Sequence, residues 1–312
     1  MAVNRNAQTF ITAEGMEETV SFDLSNLQAG KESFTLRALR EFHGRVQRNY
    51  EDFLAGRMSI REVLRKPAEL FQFAFVTVLD GLHLKMGGGV NVRLNSNIPI
   101  GCGMGSSAAT ILSVLRGLGH YYRVDFRPDW YARYSLEVEN LQHGKASGLD
   151  TYVSLHGGCV RFQNGEAREM PLPRMPLYIV NTGQPQGTTG EAVAAVARRH
   201  GAASPIWDSF EAAVGRMEKA LLKDDLKGFQ KAMKENHRLL AEIGVVPGRV
   251  GEFVGEIEEM GAAAKVCGAG AASGAGAGMV LVASRETPAE LCAKYGYEMM
   301  TVRPDPMGVR VV

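Results

Sequence analysis

The sequence predicts an α+β protein with helices packed on one face of antiparallel sheets. Two observations predict it. Strand-like segments do not alternate regularly with helices, as a doubly wound parallel sheet requires, and those that alternate apolar with polar residues read as half-exposed. At 312 residues, 45% hydrophobic and 22% charged, the chain is long enough for two modest cores. The motif content changes between residues 150 and 165, which places a boundary there and predicts parts 1–157 and 158–312.

Each element has its own signal. Val90-Asn-Val-Arg-Leu-Asn95 has period two and predicts a half-buried strand. It runs through Asn97-Ile-Pro99 into a glycine loop, after which Ala108, Ile111, Leu112, Leu115 and Leu118 recur at helical spacing. Pro128 suits a first helical position, Trp130, Tyr134, Val138 and Leu141 form the stripe behind it, and Gly144 ends that helix. Gly158–Phe162 and the segment after Asn164-Gly165 predict a hairpin with a two-residue turn. Pro176–Val180 predicts a short buried strand, and Thr188 with Glu191 has capping-box spacing ahead of Ala192–Ala197. Residues 206–243 carry two helical stretches, with Trp207, Phe210, Val214, Met217 and Leu221 on one stripe. A Gly/Ala-rich loop at 266–278 then meets the strand Met279–Val282.

The bulk numbers exclude some functions. Lysine plus arginine number 35 against 34 acids, with no long basic run, so no nucleic-acid partner is expected. No run of about 18 apolar residues is present, which excludes a membrane span of that kind. MAVNRNAQTF has no apolar signal core. The four cysteines, Cys102, Cys159, Cys267 and Cys292, show no metal spacing and read as reduced thiols of a cytoplasmic protein.

Three segments carry chemistry. In Pro99-Ile-Gly-Cys-Gly-Met-Gly-Ser-Ser-Ala-Ala-Thr110, Gly101, Gly103 and Gly105 expose backbone N–H groups at a helix N-terminus, an arrangement that binds anions. Ser106 and Ser107 add hydroxyls for phosphate or Mg²⁺; the plainer alternative is a glycine turn with a serine cap. The loop is neither a Walker A sequence nor a dinucleotide fingerprint. In Glu139-Asn-Leu-Gln-His143-Gly-Lys-Ala-Ser147-Gly-Leu-Asp150, Glu139 and His143 share a helix face, and a turn framed by Gly144 and Gly148 delivers Asp150. A carboxylate there can accept a proton from a substrate hydroxyl and a second can hold a metal, unless Glu139 is a solvated helix residue and Asp150 a turn residue. Lys265-Val-Cys-Gly268-Ala-Gly270, with Gly274, Gly276 and Gly278 beyond, implies close backbone approach or else a flexible surface loop.

Taken in this order, the segments resemble the three-part signature of the GHMP kinase superfamily. The first resembles PxxxGLGSSAA, with Met104 within it and Ala108 after the serines. The second resembles HGxPSGxD with Ala146 in place of proline, and the third KxTGAG with Cys267 in place of threonine. Asn181-Thr-Gly-Gln-Pro-Gln-Gly-Thr188 and Asn236-His-Arg-Leu-Leu240 through Val245 are similar to the TGxxxxTxxxV and NxxLLxxLGV segments of the mevalonate kinases within it, and the resemblance spans roughly residues 1 to 282. It implies a ribosomal-protein-S5-like N-terminal part, a ferredoxin-like C-terminal part, and ATP- and Mg²⁺-dependent phosphorylation of a small hydroxy acid, mevalonate first. Phosphomevalonate, a sugar or the mevalonate 3-hydroxyl stand as alternative acceptors, and a non-catalytic nucleotide-binding homologue as an alternative of another class. The lack of Lys or Arg across 180–191 weighs against an acceptor that already carries a phosphate.

Carried over residue by residue, the resemblance makes Asp150 the base and gives Mg²⁺ to Glu139 with Ser106 or Ser107. It gives the ATP phosphates to Pro99, Gly101 and the backbone from Gly103 to Ala108, braced by Gly268 and Gly270. It places His143, Ser147, Gly148 and Thr188 beside the substrate, against the simpler readings of His143 as a helix-end residue and Thr188 as a cap. A homodimer is common in the resembling family. One departure is serious: the family's proline-glycine-lysine and glycine-glutamate-histidine motif does not precede Ala2–Thr9. That implies an internal start or a truncation, with a strand and a lysine beside Asp150 missing, and an inactive or poorly folded chain.

Overall fold

A computed structural model describes residues 6–27 and 29–312; the expectation that falls on Met1–Arg5 lies outside the described residues. The first sheet is built from β1 (Ala7–Ala13), β2 (Thr19–Asp23), β3 (Lys31–Thr35) and, after three helices, β4 (Val90–Ser96). Those helices are α1 (Leu36–Leu54), α2 (Ile60–Val63) and α3 (Glu69–Gly81). Strand order is β1-β4-β2-β3. Along β4 the pleat sends Val90, Val92 and Leu94 into the core, and β2 does the same with Val20 and Phe22. β4 runs antiparallel to β1 but parallel to β2, with Val20 opposite Val90. This corrects the expectation of purely antiparallel sheets: the long connection through α1–α3 is the crossover a parallel pair requires.

Three further helices complete this half: α4 (Ser106–Tyr121), α5 (Pro128–His143) and α6 (Leu149–His156). Ala108, Ile111, Leu112, Leu115 and Leu118 of α4 are all fully buried, in one core with α3, α5 and the sheet for all but Ala108. The hairpin of β5 (Cys159–Gln163) and β6 (Glu166–Met170) follows, turned by Asn164 and Gly165 with φ of 53° and 83°. Two residues at positive φ match the twist of a hairpin.

The second half contains β7 (Leu177–Asn181), α7 (Thr189–Arg199), α8 (Ile206–Leu222), α9 (Leu226–Glu242), α10 (Gly248–Glu259), β8 (Ala263–Val266), β9 (Met279–Ala283), α11 (Ala289–Tyr295) and β10 (Glu298–Thr301). Its sheet is antiparallel throughout, in the order β10-β7-β9-β8. Val180, Ala264, Val266, Val280 and Val282 pack with Val250, Phe253, Val254 and Ile257 of α10. Leu177, Ala263 and Ala283 belong to a separate cluster with Ala220, Phe229 and Met233 of α8 and α9. Helices therefore cover parts of both faces here, not one as expected. Of the stripe expected on α8, Trp207, Phe210, Met217 and Leu221 pack half-buried against the cores and Val214 is exposed, while Ala213 and Ala220 are buried. Small residues let α8 and α9 lie close, so the alanines sit deepest.

Candidate active site

The glycine loop leaves β4 at Asn97 and turns into α4. Gly101, Gly103 and Gly105 have φ of 70°, 77° and 62°, the left-handed region that costs other residues energy. Gly105 is the N-cap of α4 and supplies no side-chain cap. The first N–H groups of the helix thus end at a turn of backbone with no side chain of their own to accept from them. Thr110 donates its hydroxyl back to the Ser106 and Ser107 carbonyls, which fixes the first turn.

Asp150 lies in the first turn of α6, delivered by Gly144 and Gly148 at φ of 79° and 88°. A Cβ built on Gly105 would stand 3.5 Å from the Asp150 Cβ, Cγ and Oδ1, so the carboxyl rests directly on the glycine loop. Asp150 stays open to solvent, but the protein packed beside it desolvates the carboxyl and raises its pKa, and His143 pulls it back down. His143 closes α5, where burial lowers its own pKa against the pull of Asp150. Ser147 accepts the Leu149 N–H within the turn, and the buried hydroxyls of Ser135 and Thr151 join α5 to α6. Tyr50 donates to the Gly144 carbonyl at 2.7 Å, holding the end of α1 over this turn.

Glu139 sits one helical turn behind His143 and is only 3% exposed. Burial pushes its carboxyl up to about 7, only partly opposed by the Ser107 hydroxyl, and nearby Asp150 adds to the rise. Its Oε1 has no hydrogen-bond partner. A buried carboxylate oxygen left unpaired costs free energy unless something occupies it. That orphaned oxygen, beside a serine and an anion-binding loop, is the donor set a hard cation shared with phosphate oxygens would use. Among the described residues no three His, Cys, Asp or Glu side chains group as a self-sufficient metal centre, so phosphate oxygens would have to complete the shell. The residues present fit Mg²⁺ carried with a nucleotide.

The third glycine segment is packed backbone, not a flexible surface loop. A Cβ on Gly268 would stand 2.9 Å from Gly103 Cα, and one on Gly278 would stand 2.6 Å from the Cys102 carbonyl oxygen. The Met279 N–H donates to that same carbonyl at 2.9 Å. Gly270 points elsewhere, against the Val245 carbonyl between α9 and α10. Thr182 donates its hydroxyl to Gly278 O and accepts from Ala277 N–H, and Gln184 donates to Ile100 O. Thr188 is exposed, and its hydroxyl accepts the Glu191 N–H in a complete capping box. Gly101–Ser107, Glu139, His143, Asp150 and Gly268 thus meet in one place, whereas Gly270, Ser147 and Thr188 serve local structure. Two open clefts of about 420 and 450 Å³ lie away from this place, one along α1 and one beside Arg249, Tyr295 and Tyr297. The chemistry, not the concavity, marks the site.

Tyr50 lies in no motif, and the TGxxxxTxxxV resemblance assigns no role to Thr182 or Gln184. Each binds a backbone carbonyl roughly ninety residues away, a pairing that spacing does not reveal.

The family model for the GHMP kinases N terminal domain matches residues 70–158, and that for the GHMP kinases C terminal matches residues 217–299. The chain belongs to the GHMP kinase family. The first match takes in the glycine loop, Glu139 and Asp150, and the second takes in Gly268 and Gly278. Among relatives of this GHMP kinase, a Thermococcus sibiricus mevalonate kinase is 31% identical over 192 residues, 58% of this chain and 57% of that protein. A Pyrococcus abyssi mevalonate kinase is 32% identical over the same shares. The chain thus spans 57% of the length of these curated relatives in the aligned region. The Methanococcus jannaschii mevalonate kinase structure has the same fold, with a TM-score of 0.77 at 22% identity over 97% of this chain and 89% of that one.

Proposed function

We propose that this chain transfers the terminal phosphoryl group of ATP to the hydroxyl of a small hydroxy acid, mevalonate at its 5-hydroxyl. The observation that carries the reading is the convergence of an uncapped, glycine-lined helix N-terminus on two carboxyls, Asp150 and Glu139. The backbone from Gly101 to Ala108 holds the phosphates, with Pro99 and Met104 shaping the loop and Gly268 bracing it. Phosphoryl transfer needs little covalent help from protein, so positioning and charge compensation dominate. Asp150 accepts the proton of the acceptor hydroxyl, and His143 beside it favours the ionised carboxylate that this requires. Glu139 with Ser107, or Ser106, holds Mg²⁺, which when bound neutralises charge on the phosphate oxygens. Gly148 lies toward the acceptor side in this reading, while Ser147 and Thr188 keep to the local bonds of their turns.

Mevalonate is favoured by the relatives so named and by the absence of Lys or Arg across 180–191 for a phosphate already on the acceptor. The parts 1–157 and 158–312 then divide the labour, the first supplying both carboxylates and the second the brace. The reading extends to a cytoplasmic homodimer, for which light scattering is the check. Among the described residues no helix is long and apolar enough to cross a membrane. The deciding experiment measures ADP release with ATP, Mg²⁺ and mevalonate, with phosphomevalonate and galactose in parallel. Turnover on mevalonate alone is expected. Turnover only on another acceptor replaces the substrate, and none on any acceptor, with ATP still bound, leaves a nucleotide-binding protein.

A further inference from the structure

Three contacts tie together the elements that carry the candidate site. Tyr50 fixes the end of α1 over the Gly144 turn, Gln184 ties the segment before α7 to the glycine loop, and Arg61 of α2 pairs with Glu191 of α7. The last contact joins α2 to the first turn of α7. Arg61 is presented by a short, well-fixed turn. Ser59 and Glu62 form a capping box around α2, Val63 is buried beneath it, and Asn49 donates to the Val63 carbonyl.

A bound hydroxy acid brings a carboxylate that must find donors. The segment from Asn181 to Ala197 has no lysine or arginine to offer. The cation paired with this segment comes from α2: Arg61, on Glu191. We propose that Arg61 sets specificity for an acid: its guanidinium exchanges Glu191 for the substrate carboxylate. The inference rests on the hydroxy-acid reading above.

The chemistry of the exchange is favourable on three counts. A guanidinium offers a planar fork that matches a carboxylate in two parallel bonds. The Arg61–Glu191 pair is solvent-exposed, with 59% and 51% of the two side chains open, so it is a weak pair that a substrate can displace. Glu191 is also not stranded when it loses Arg61, because its Oε2 already accepts the Thr188 N–H at 2.8 Å. The glutamate holds the arginine in place until a better-placed carboxylate arrives.

The test compares wild type, Arg61→Gln, Arg61→Lys and Glu191→Gln on mevalonate and on the neutral triol in which CH₂OH replaces its carboxylate. Loss of a charge-assisted pair predicts a KM for mevalonate raised about 10- to 100-fold in Arg61→Gln, with kcat changed far less. Arg61→Lys recovers part of the loss, and Glu191→Gln lowers KM by removing the competitor. On the triol, wild type and Arg61→Gln should agree within about twofold, since no carboxylate pair is lost there. If Arg61→Gln damages both acceptors equally, Arg61 is only a clasp between α2 and α7 and the inference fails. An unchanged KM for mevalonate in Arg61→Gln also overturns it while leaving the kinase reading intact. If wild type turns over no acceptor, calorimetric titration of mevalonate into wild type and Arg61→Gln decides instead. Weaker binding by the variant supports the inference; equal binding, or none by wild type, overturns it.

Discussion

The two sides of the candidate site are made of different materials. One side, residues 101–105 against 267–278, is almost all backbone: Gly103 meets Gly268, and Gly278 meets the Cys102 carbonyl. The other side, Glu139 to Asp150, is side-chain chemistry, two carboxyls that desolvation pushes toward neutrality. The backbone side is stable as built and fails when atoms are added. On the carboxylate side the buried, unpartnered Glu139 carries a folding cost, so removing its charge should stabilise the protein while stopping its chemistry. Changes on the two sides should therefore differ in sign.

The largest effect belongs to the carboxylate side. Asp150→Asn keeps shape and removes the proton acceptor, so kcat should fall by about 10²- to 10⁴-fold while ATP affinity holds. Single-turnover phosphorylation with nucleotide titration checks both. A fall of less than tenfold would mean that the hydroxyl loses its proton without Asp150, and the contrast between the sides would lose its chemical half.

On the backbone side the expected change is in stability. Gly278 and Gly101 share a positive φ, 75° and 70°, but a Cβ on Gly278 strikes a carbonyl oxygen while one on Gly101 meets nothing within 4 Å. Gly101→Ala pays only for the left-handed backbone, about 1 kcal/mol. Gly278→Ala adds a collision with fixed backbone and should cost about 2–4 kcal/mol in denaturant unfolding. Equal costs would mean that strain, not close approach, explains both glycines.

The sign reverses at Glu139. Its folded carboxyl titrates near 7 against an ordinary 4.5, so the folded chain holds the proton more tightly than the unfolded one. Stability from this group is therefore present below about pH 4.5 and is lost as pH rises through about 7. Without metal, Glu139→Gln should be more stable than wild type at pH 8, by on the order of 2 kcal/mol, and should converge with it near pH 5. Turnover should collapse in the same variant. Thermal unfolding across that pH range reads the crossing, and a variant less stable than wild type at pH 8 would show that the buried carboxylate is well satisfied in the folded chain.

Sequence reasoning reached the two sides unequally. The alternation of Val90–Asn95 and the stripe from Ala108 to Leu118 carried the strand, loop and helix because both periods are local, and the residues concerned are buried as the periods require. Motif order brought Glu139 and Asp150 to the loop. The parallel pairing of β2 with β4 was not legible, since register across some seventy residues depends on what packs between. On α8 the large apolar residues pack inward as their period requires except at Val214, whereas the deeper Ala213 and Ala220 were not legible, because small residues carry little apolar signal of their own. The third glycine run looked like the first on paper. Only the positions of distant carbonyls separate glycines that open a surface from glycines that admit a neighbour.

Thr188 belongs to neither side and so calibrates both. Its hydroxyl accepts the Glu191 N–H and its own N–H is accepted by Glu191, which accounts for its two short-range bonds without a substrate. Removing a threonine cap typically costs about 1 kcal/mol. Thr188→Ala should therefore lower stability by about that much and leave kcat/KM for mevalonate within a few-fold, since Glu191 can still take the backbone N–H. Unfolding and steady-state kinetics on one preparation separate the outcomes. A loss of kcat/KM beyond about a hundredfold, or roughly 3 kcal/mol, with stability unchanged would move Thr188 from the cap to the acceptor. The chemical side of the site would then extend into the second half of the chain, where the present geometry gives it only backbone support.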